Sequence, residues 1–394
     1  MVTPGTNPLR LAFEQFDNSA WTGGMVYIQN LLKALQVLDV SERPFTILSR
    51  RAGDEAYPAP VDLCVEIPPE PGPTLARRFR RRLAKQLGLD GAEKTIPVAL
   101  LAQEVGALFT HRIYCGSETV RLIGWIPDFQ HVHLPEMATP AYVENTTKYH
   151  GRLIHQSNVI LVNSNDVLKD LEKFAPAALR KTHVVPFVAD VPSDVYDANL
   201  ASVCGKYGIP KRFLYLPNQF WKHKNHSVVI RALGILSRRS ADVTVVCTGT
   251  TFDYRNPGYL NSLLTEVAMQ GVHDRFRVLG LVPREDVFLL MRQSVAVVQP
   301  SLFEGWSTSV EECKSLGKRM ILSDLAVHRE QNPPGSIFFD PNSPEELATA
   351  MLHTWEDATG GPDLALESEA RANMKSRLRN FGARFVEIAG GAAK

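Results

Sequence analysis

Short apolar, β-rich segments alternate with helical segments along the chain, and this alternation constrains the fold more than any other feature of the sequence. In the first half the predicted strands are 9–15, 45–50, 120–126, 158–163 and 183–188. In the second half they are 213–216, 243–247, 276–281, 295–299, 320–323 and 337–339. Strands that alternate with helices form parallel sheets with helices on both faces. The pattern therefore predicts an α/β protein with parallel sheets.

A chain of 394 residues is too long for one ordinary core, so we expect two α/β domains. A connection rich in proline and polar residues follows the first set of strands, and we place a hinge there, within 189–211. The predicted units are 1–190, 191–370 and a C-terminal helical tail over 371–394. The predicted helices are 26–37, 165–174, 225–239, 257–270, 284–293, 308–317 and 344–357.

The composition is that of an ordinary globular enzyme, with 44% hydrophobic and 22% charged residues. A formal net charge of +1 argues against nucleic acid as the main partner. The N-terminus lacks the pattern of a secretory signal, and the longest apolar runs are too short to span a bilayer. The five cysteines are scattered singly, which indicates reduced thiols in a cytoplasmic protein and neither disulfides nor a zinc site.

The strongest functional motif follows the predicted strand 295–299, where a loop leads into a helix. Such a loop exposes backbone N–H groups and the positive end of the helix dipole, so a diphosphate can bind there without a metal. Glu304 and Glu312 are eight positions apart, so their carboxylates can reach different parts of one extended ligand. Between these two carboxylates the candidate site residues are Gly305, Trp306, Ser307, Thr308 and Ser309.

A second candidate segment follows the predicted strand 213–216 and precedes a helix, so its cations lie at the sheet edge where phosphates would bind. It contains Gln219, Lys222 and Lys224. Both lysines can therefore contact a phosphate group.

The first half of the chain has two candidate segments. Gly23 and Gly24 precede a helix, and paired glycines let the backbone approach a ligand closely. Asp128 and His131 follow the predicted strand 120–126, at the strand end where ligands collect in open α/β sheets. His133 is a weaker candidate, and two histidines two positions apart do not make a metal site without a third ligand.

The segment 75–85 holds six cations in eleven residues, with apolar residues at helical spacing. Such a helix could bind an anionic membrane surface or a lipid-diphosphate acceptor, and a solvated amphipathic face is the alternative.

These motifs resemble the retaining glycosyltransferases of the GT-B fold, in the large family numbered four, also called group 1. The family motif is Glu-x7-Glu after Pro-Ser-x-x, and Pro300, Ser301, Glu304, Gly305 and Glu312 match it. The resemblance implies two Rossmann-like domains that face each other across a cleft. It also implies that Glu304 contacts the donor sugar, that Glu312 contacts the ribose, and that Gly23 and Gly24 approach the donor phosphate. It implies further that Lys224 is the main ligand of the diphosphate, with Lys222 as a second cation.

The chain departs from the family at Pro127, where histidine is frequent, at Gln219, where arginine is usual, and at Ser307, where glycine is usual. These departures leave the donor open.

The resemblance implies transfer of a hexose-type sugar from a GDP- or UDP-sugar to a hydroxyl of a glycan or a lipid-linked acceptor. It further implies retention of configuration, a role in cell-surface polysaccharide synthesis, and no metal or other cofactor. We place the protein in the cytoplasm or at the inner face of the membrane. The alternatives are a sugar-nucleotide epimerase and a catalytically silent nucleotide-sugar-binding protein. A Gly-x-Gly-x-x-Gly turn, a P-loop and an Asp-x-Asp pair are all absent from the sequence.

Overall fold

The protein was analysed as a computed structural model that describes residues 8–15, 22–53, 60–68, 95–114 and 117–391. The basic segment 75–85 lies outside the described residues. Within the described ranges, none of the helices combines the length and the apolar character that crossing a membrane requires.

The first domain is built on a parallel sheet in the order β3-β2-β1-β4-β5-β6-β7. Its strands are β1 Arg10–Glu14, β2 Phe45–Arg51, β3 Leu63–Ile67, β4 Ala107–Thr110, β5 Arg121–Trp125, β6 Val159–Val162 and β7 Thr182–Val184. Its helices are α1 Thr22–Gln36, α2 Val98–Leu101, α3 Gln130–His133, α4 Pro140–Gln156 and α5 Asn165–Phe174, with 3₁₀ turns at Pro135–Met137 and Pro176–Lys181.

The second domain is built on a parallel sheet in the order β10-β9-β8-β11-β12-β13. Its strands are β8 Leu214–Pro217, β9 Val245–Thr248, β10 Phe276–Gly280, β11 Val297–Gln299, β12 Met320–Ser323 and β13 Ile337–Phe339. The remaining helices are α6 Asp194–Asp197, α7 Leu200–Tyr207, α8 His226–Arg238, α9 Tyr259–Gln270, α10 Arg284–Gln293, α11 Thr308–Leu316, α12 Ala326–Gln331, α13 Pro344–Asp357 and α14 Leu364–Ala389, with a 3₁₀ turn at Lys222–Lys224.

Both sheets reverse their strand order next to the first strand of the domain, between β1 and β4 and between β8 and β11. At such a reversal the loops at the carboxyl ends of the strands diverge and leave a crevice for a ligand. The strand order of the two sheets therefore places one crevice in each domain.

The expectation of two parallel-sheet α/β domains is confirmed, and so are the strands predicted across 213–339. β3 and β4 were not predicted. β3 alternates between half-buried and exposed positions at the edge of the sheet, and β4 has only four residues. The predicted strand 183–188 is wrong in its second half, because the chain leaves the sheet before Pro186, which has no N–H to donate.

The connection between the domains contains the short helices α6 and α7, and the hinge expected within 189–211 stays a prediction. Val195 on α6 and Val203 on α7 pack with Phe213 and Phe288 in the core of the second domain. The domain boundaries at 190 and 370 stay predictions.

The last helix, α14, links the two domains. It begins at Leu364, where the Asp363 side chain accepts a hydrogen bond from the Leu366 N–H. Its first half forms a buried ion pair between Glu367 and Arg292 of the second domain. Its second half inserts Phe381 and Phe385 into the aromatic core of the first domain.

Candidate functional site

A cleft of about 900 Å³ lies between the two domains. It is lined by residues that follow strands of both sheets, including Asp128 after β5 in the first domain and Lys224 after β8 and Glu304 after β11 in the second. The volume is in the range of sites that take small molecules and cofactors.

Glu304 is the most strongly held group of the cleft. Its Oε1 atom is 2.6 Å from Lys224 Nζ, and it accepts hydrogen bonds from Ser301 Oγ at 2.6 Å and Gln299 Nε2 at 2.9 Å. Within the described residues Oε2 has no partner. Three donors on one oxygen fix the carboxylate and leave the other oxygen for a ligand.

The charge state of Glu304 follows from these contacts. Burial raises the pKa of the carboxyl, but the charge of Lys224 lowers it, with smaller contributions from His328 and the hydrogen bonds. The resulting pKa lies below the usual value for a glutamate, so the group is an anion at neutral pH.

Loop contacts bring Lys224 and Glu304 together. Asn225 adopts a left-handed backbone (φ 55°) at the end of the 3₁₀ turn, and its Nδ2 donates to Pro300 O at 3.1 Å. Asn218 Nδ2 donates to Gln299 Oε1 at 2.6 Å. These bonds tie the loop after β8 to the loop after β11.

The N-terminus of α11 is partly open. Ser307 does not cap the helix with its side chain, because its Oγ accepts a hydrogen bond from Gln299 Nε2 at 2.9 Å. Gln331 Oε1 accepts from the Ser307 N–H at 3.2 Å. Thr308 and Ser309 line the cleft in the first turn, where helical N–H groups have no partner within the helix. The positive end of the helix therefore faces the cleft.

Gly305 and Trp306 join the second domain to the first. A Cβ atom on Gly305 would lie 2.1 Å from Pro127 O, so only glycine fits there. Ser164 Oγ donates to Gly305 O at 2.9 Å, and Trp306 Nε1 donates to Phe187 O at 3.2 Å. Both residues line the cleft while they hold it closed.

Glu312 lines the far end of the cleft and is buried. Its carboxylate forms an ion pair with Arg284, whose guanidinium lies 4.8 Å from the centre of the Phe288 ring. The neighbouring Glu311 pairs instead with Arg377 of α14. Glu312 thus faces the cleft, whereas Glu311 faces the last helix, α14.

Asp128 and His131 form the opposite wall. Burial and the nearby charge of Glu304 raise the pKa of Asp128, and the hydrogen bond from the Gln130 N–H and the charges of Lys224 and Arg255 oppose this. Burial lowers the pKa of His131. The ring of His150 on α4 lies 5.0 Å from His131, and burial together with His131 lowers the pKa of His150 to about 3. Both imidazoles are therefore neutral at pH 7.

The structure brings most of the predicted residues to this one cleft, but not all of them. Gly23 lines it, whereas Gly24 is buried in the first turn of α1. Gln219 lines it, whereas Lys222 is exposed with its side chain outside. His133 is outside as well, paired with Asp170 at 2.8 Å.

Sequence reasoning missed several residues of the site. Arg255, Arg284 and His150 line the cleft, and Gln299 orients Glu304 through a hydrogen bond from its Nε2 atom. Arg255 and Arg284 follow β9 and β10 at the carboxyl ends of those strands, which is a signal that could have indicated them. His150 lies within α4, a helix that was not predicted.

Among the residues that the structure describes, no group of three or more His, Cys, Asp or Glu side chains is placed to hold a metal ion.

Residues 205–380 match the family model described as "Glycosyl transferases group 1". A search of curated protein sequences found no match.

Solved structures share the fold over nearly the whole chain. A glycosyltransferase from Rickettsia africae is 15% identical with a TM-score of 0.63, and the match covers 98% of this chain and 100% of that one. The sucrose-phosphate synthase of Thermosynechococcus elongatus is 14% identical with a TM-score of 0.64, and 98% of each chain is covered. The Anabaena protein HepE, solved in complex with UDP and glucose, is 15% identical with a TM-score of 0.60, again over 98% of each chain.

The chain thus has the GT-B fold, two Rossmann-like domains facing each other across a cleft, and its residues 205–380 match the group 1 glycosyl transferases.

Proposed function

We propose that this protein is a glycosyltransferase that moves a hexose-type sugar from a UDP- or GDP-sugar to a hydroxyl group of a glycan or lipid-linked acceptor, with retention of configuration. The observation that carries the proposal is the Lys224–Glu304 pair, 2.6 Å apart in a cleft between two Rossmann-like domains and adjacent to the open N-terminus of α11. A solved protein of the same fold is described as bound to UDP-glucose, which supports a nucleotide-sugar donor.

The polar groups of the cleft favour one orientation of the nucleotide-sugar donor. The cation of Lys224 and the first turn of α11 stabilise the charge on the diphosphate. Glu312 accepts hydrogen bonds from ribose hydroxyls, and Oε2 of Glu304 accepts one from a sugar hydroxyl. Because Lys224 is already oriented by Glu304, little reorganisation is needed when the leaving group gains charge.

The transfer step forms a bond between the acceptor oxygen and the anomeric carbon and breaks the bond from that carbon to the phosphate oxygen. For retention, the acceptor approaches the face from which the diphosphate leaves, and the hydroxyl proton passes to the departing phosphate oxygen. Asp128 and the neutral imidazoles of His131 and His150 lie on the acceptor side and orient the incoming hydroxyl. We propose that no metal takes part, with Lys224 and the helix N-terminus supplying the positive charge.

The cellular setting is also a proposal, carried by the family resemblance. It places the enzyme in the cytoplasm or at the inner face of the membrane, in the synthesis of a cell-surface polysaccharide.

Nucleoside-diphosphate release from a panel of nucleotide sugars, measured with and without glycan and lipid-linked acceptors, tests the activity. We expect release that increases with an acceptor and a glycosylated product with the donor's anomeric configuration. Turnover of the nucleotide sugar without any acceptor would instead identify an epimerase. Binding without release under all acceptors would identify a silent binding protein.

Glu304→Gln tests the central residue. The amide keeps the size of the side chain but loses the charge, so we expect kcat to fall by about 100-fold or more, the typical loss for a preorganised electrostatic contact. Lys224 is then free to pair with phosphate, so binding of UDP or GDP should be kept or tightened. A matched control is Glu367→Gln, which also removes a buried ion pair but lies away from the cleft. Similar losses of kcat in both variants would contradict the proposed role.

A further inference from the structure

The loop after β9 carries an arginine into the cleft. Arg255 lines the cleft, and only 10% of its side chain is exposed. Its guanidinium carbon lies 4.9 Å from the ring centre of Trp221 and 5.5 Å from that of Tyr254. Its Nη1 reaches Gln130 Oε1 of the other domain at 3.4 Å.

The buried carboxylate of Asp253 orients this arginine. Asp253 Oδ1 accepts from the Arg255 N–H at 3.0 Å and from Arg255 Nε at 3.2 Å. Asp253 Oδ2 accepts from the Lys222 N–H at 3.2 Å, and the Asp253 side chain is fully buried. The guanidinium is thus fixed in direction before any ligand arrives.

Gln219 forms a hydrogen bond at the start of the loop after β9. Its Oε1 accepts from the Thr250 N–H at 2.9 Å, and the Phe220 N–H donates to Thr250 O at 2.9 Å. Gly249, with φ +136°, lets the two loops touch, because a Cβ there would lie 2.3 Å from Asn218 O. Gln219 thus organises the loop that supplies Arg255.

Arg255 differs from the other paired cations of the cleft in the position of its ion-pair partner. Across the described part of the cleft lining, Lys224 pairs with Glu304 and Arg284 with Glu312, so their counterions face the cleft too. The ion-pair partner of Arg255 is Asp253, which does not line the cleft, and the charge of Arg255 also acts on Asp128 in the cleft wall. The described residues account for two of the five N–H donors of its guanidinium. The remaining donors form a planar fork that matches two oxygens of a phosphate.

We propose that Arg255 binds a phosphate group of a substrate in the cleft. This inference rests on the proposed function, since the phosphate is that of the nucleotide-sugar donor or of a phosphorylated acceptor. Because the same side chain reaches Gln130, phosphate binding also ties the loop after β9 to the first domain.

The experiment compares ligands that differ only in phosphate. Binding of UDP and GDP is measured against uridine and guanosine for the wild type, Arg255→Gln and Arg255→Lys. We expect Arg255→Gln to weaken diphosphate binding by about tenfold or more, the effect of losing a charge-assisted hydrogen bond, with nucleoside binding unchanged. Arg255→Lys keeps the positive charge but lacks the planar guanidinium. Its affinity for the diphosphate should therefore lie between those of the wild type and Arg255→Gln. Arg277→Gln is the control, because Arg277 is exposed on β10.

A second set of measurements distinguishes the two sources of phosphate. If Arg255 serves the acceptor, UDP and GDP bind as in the wild type, while the KM for phosphorylated sugar acceptors rises relative to that for unphosphorylated ones. The inference is supported if Arg255→Gln reduces the preference for the phosphorylated over the unphosphorylated ligand in either set. It is overturned if neither set changes, or if nucleoside and nucleoside diphosphate lose affinity equally.

Failure of this inference differs from failure of the proposed function. Sugar transfer by the wild type together with unchanged phosphate discrimination in Arg255→Gln removes the inference alone. Loss of diphosphate binding in Arg255→Gln, in a protein that transfers no sugar, removes the transferase proposal and keeps the phosphate contact. Thermal melting of each variant shows whether it is folded.

Discussion

At the residue scale, two carboxyl groups on opposite walls of the cleft have pKa values shifted in opposite directions. Burial raises the pKa of both, but Lys224 and its hydrogen bond more than reverse this at Glu304. At Asp128 the charge of Glu304 adds to the rise, and the opposing contacts are too weak to cancel it. Folding therefore favours the protonated form of Asp128 and the ionised form of Glu304.

The raised pKa of Asp128 gives a prediction for stability against pH. Because the folded protein holds the Asp128 proton more tightly than the unfolded chain, that stabilisation is complete below the unfolded pKa of about 4 and is lost as pH rises through the folded pKa. Asp128→Asn is neutral at every pH and keeps the oxygen that accepts the Gln130 N–H at 2.8 Å. We expect the variant to melt at a higher temperature than the wild type at pH 7, and this difference to disappear towards pH 4.

Thermal melting of both proteins from pH 4 to pH 8 checks this. A difference in Tm that does not change with pH would show that the Asp128 carboxylate is not under electrostatic strain. If Asp128 also orients the acceptor, the stabilised variant will have a lower kcat, the compromise between stability and activity that functional sites commonly show.

At the scale of single elements, α14 packs against helices of both domains, α1 of the first and α11 of the second. Gly382 lies against α1, where a Cβ atom would be 2.6 Å from Ala34 O and 2.9 Å from Ala34 C. Backbone atoms cannot rotate away as a flexible side chain can. The absence of a side chain at this position is what lets α14 lie flat on the first domain.

Gly382→Ala should therefore destabilise the protein by about 1–3 kcal/mol, the usual cost of overpacking, despite the better helix propensity of alanine. Gly151→Ala on α4 is the matched control, because nothing lies within 4 Å of a Cβ there. It should stabilise by about 0.5–1 kcal/mol. Urea unfolding of the two variants checks both values, and equal effects of the two substitutions would refute the packing argument.

At the scale of the whole molecule, a few polar contacts hold the cleft closed from both sides. Glu330 on α12 accepts hydrogen bonds from the Asn165 N–H and side chain at 2.8–3.0 Å, at the start of α5. Asn256 Nδ2 donates to Met137 O at 3.2 Å. Contacts of this kind are weak individually, so the domains can open to exchange substrate and product.

Removing one of them should shift the balance between open and closed forms. Glu330→Ala is expected to increase the radius of gyration of the ligand-free protein in solution scattering, and UDP or GDP should restore the compact form. The apparent affinity for nucleotide should fall by a small factor, since part of the binding energy then closes the domains. Glu356→Ala, an exposed glutamate on α13, is the control. An unchanged radius in Glu330→Ala would show that other contacts set the closure.

The sequence by itself determined the architecture and the local motifs. Strands such as β8 and β11 are buried apolar runs with helices between them, so the period of the pattern specifies their type without tertiary information. Glu304 and Glu312 lie on one loop and the helix that follows it, and their spacing along the chain fixes their separation. The helix α4 escaped prediction because its cleft face mixes tyrosine, threonine and histidine with few aliphatic residues.

Only the tertiary structure decided which distant side chains share the cleft. Arg255, Arg284 and His150 come from three separate elements, and their approach to Lys224 and Glu304 depends on how the two sheets face each other. The exclusion of Lys222 and Gly24 from the cleft wall has the same origin. Local sequence sets backbone conformation over a few residues, whereas the meeting of loops at the carboxyl ends of two sheets depends on strand order and domain packing, which no short segment encodes.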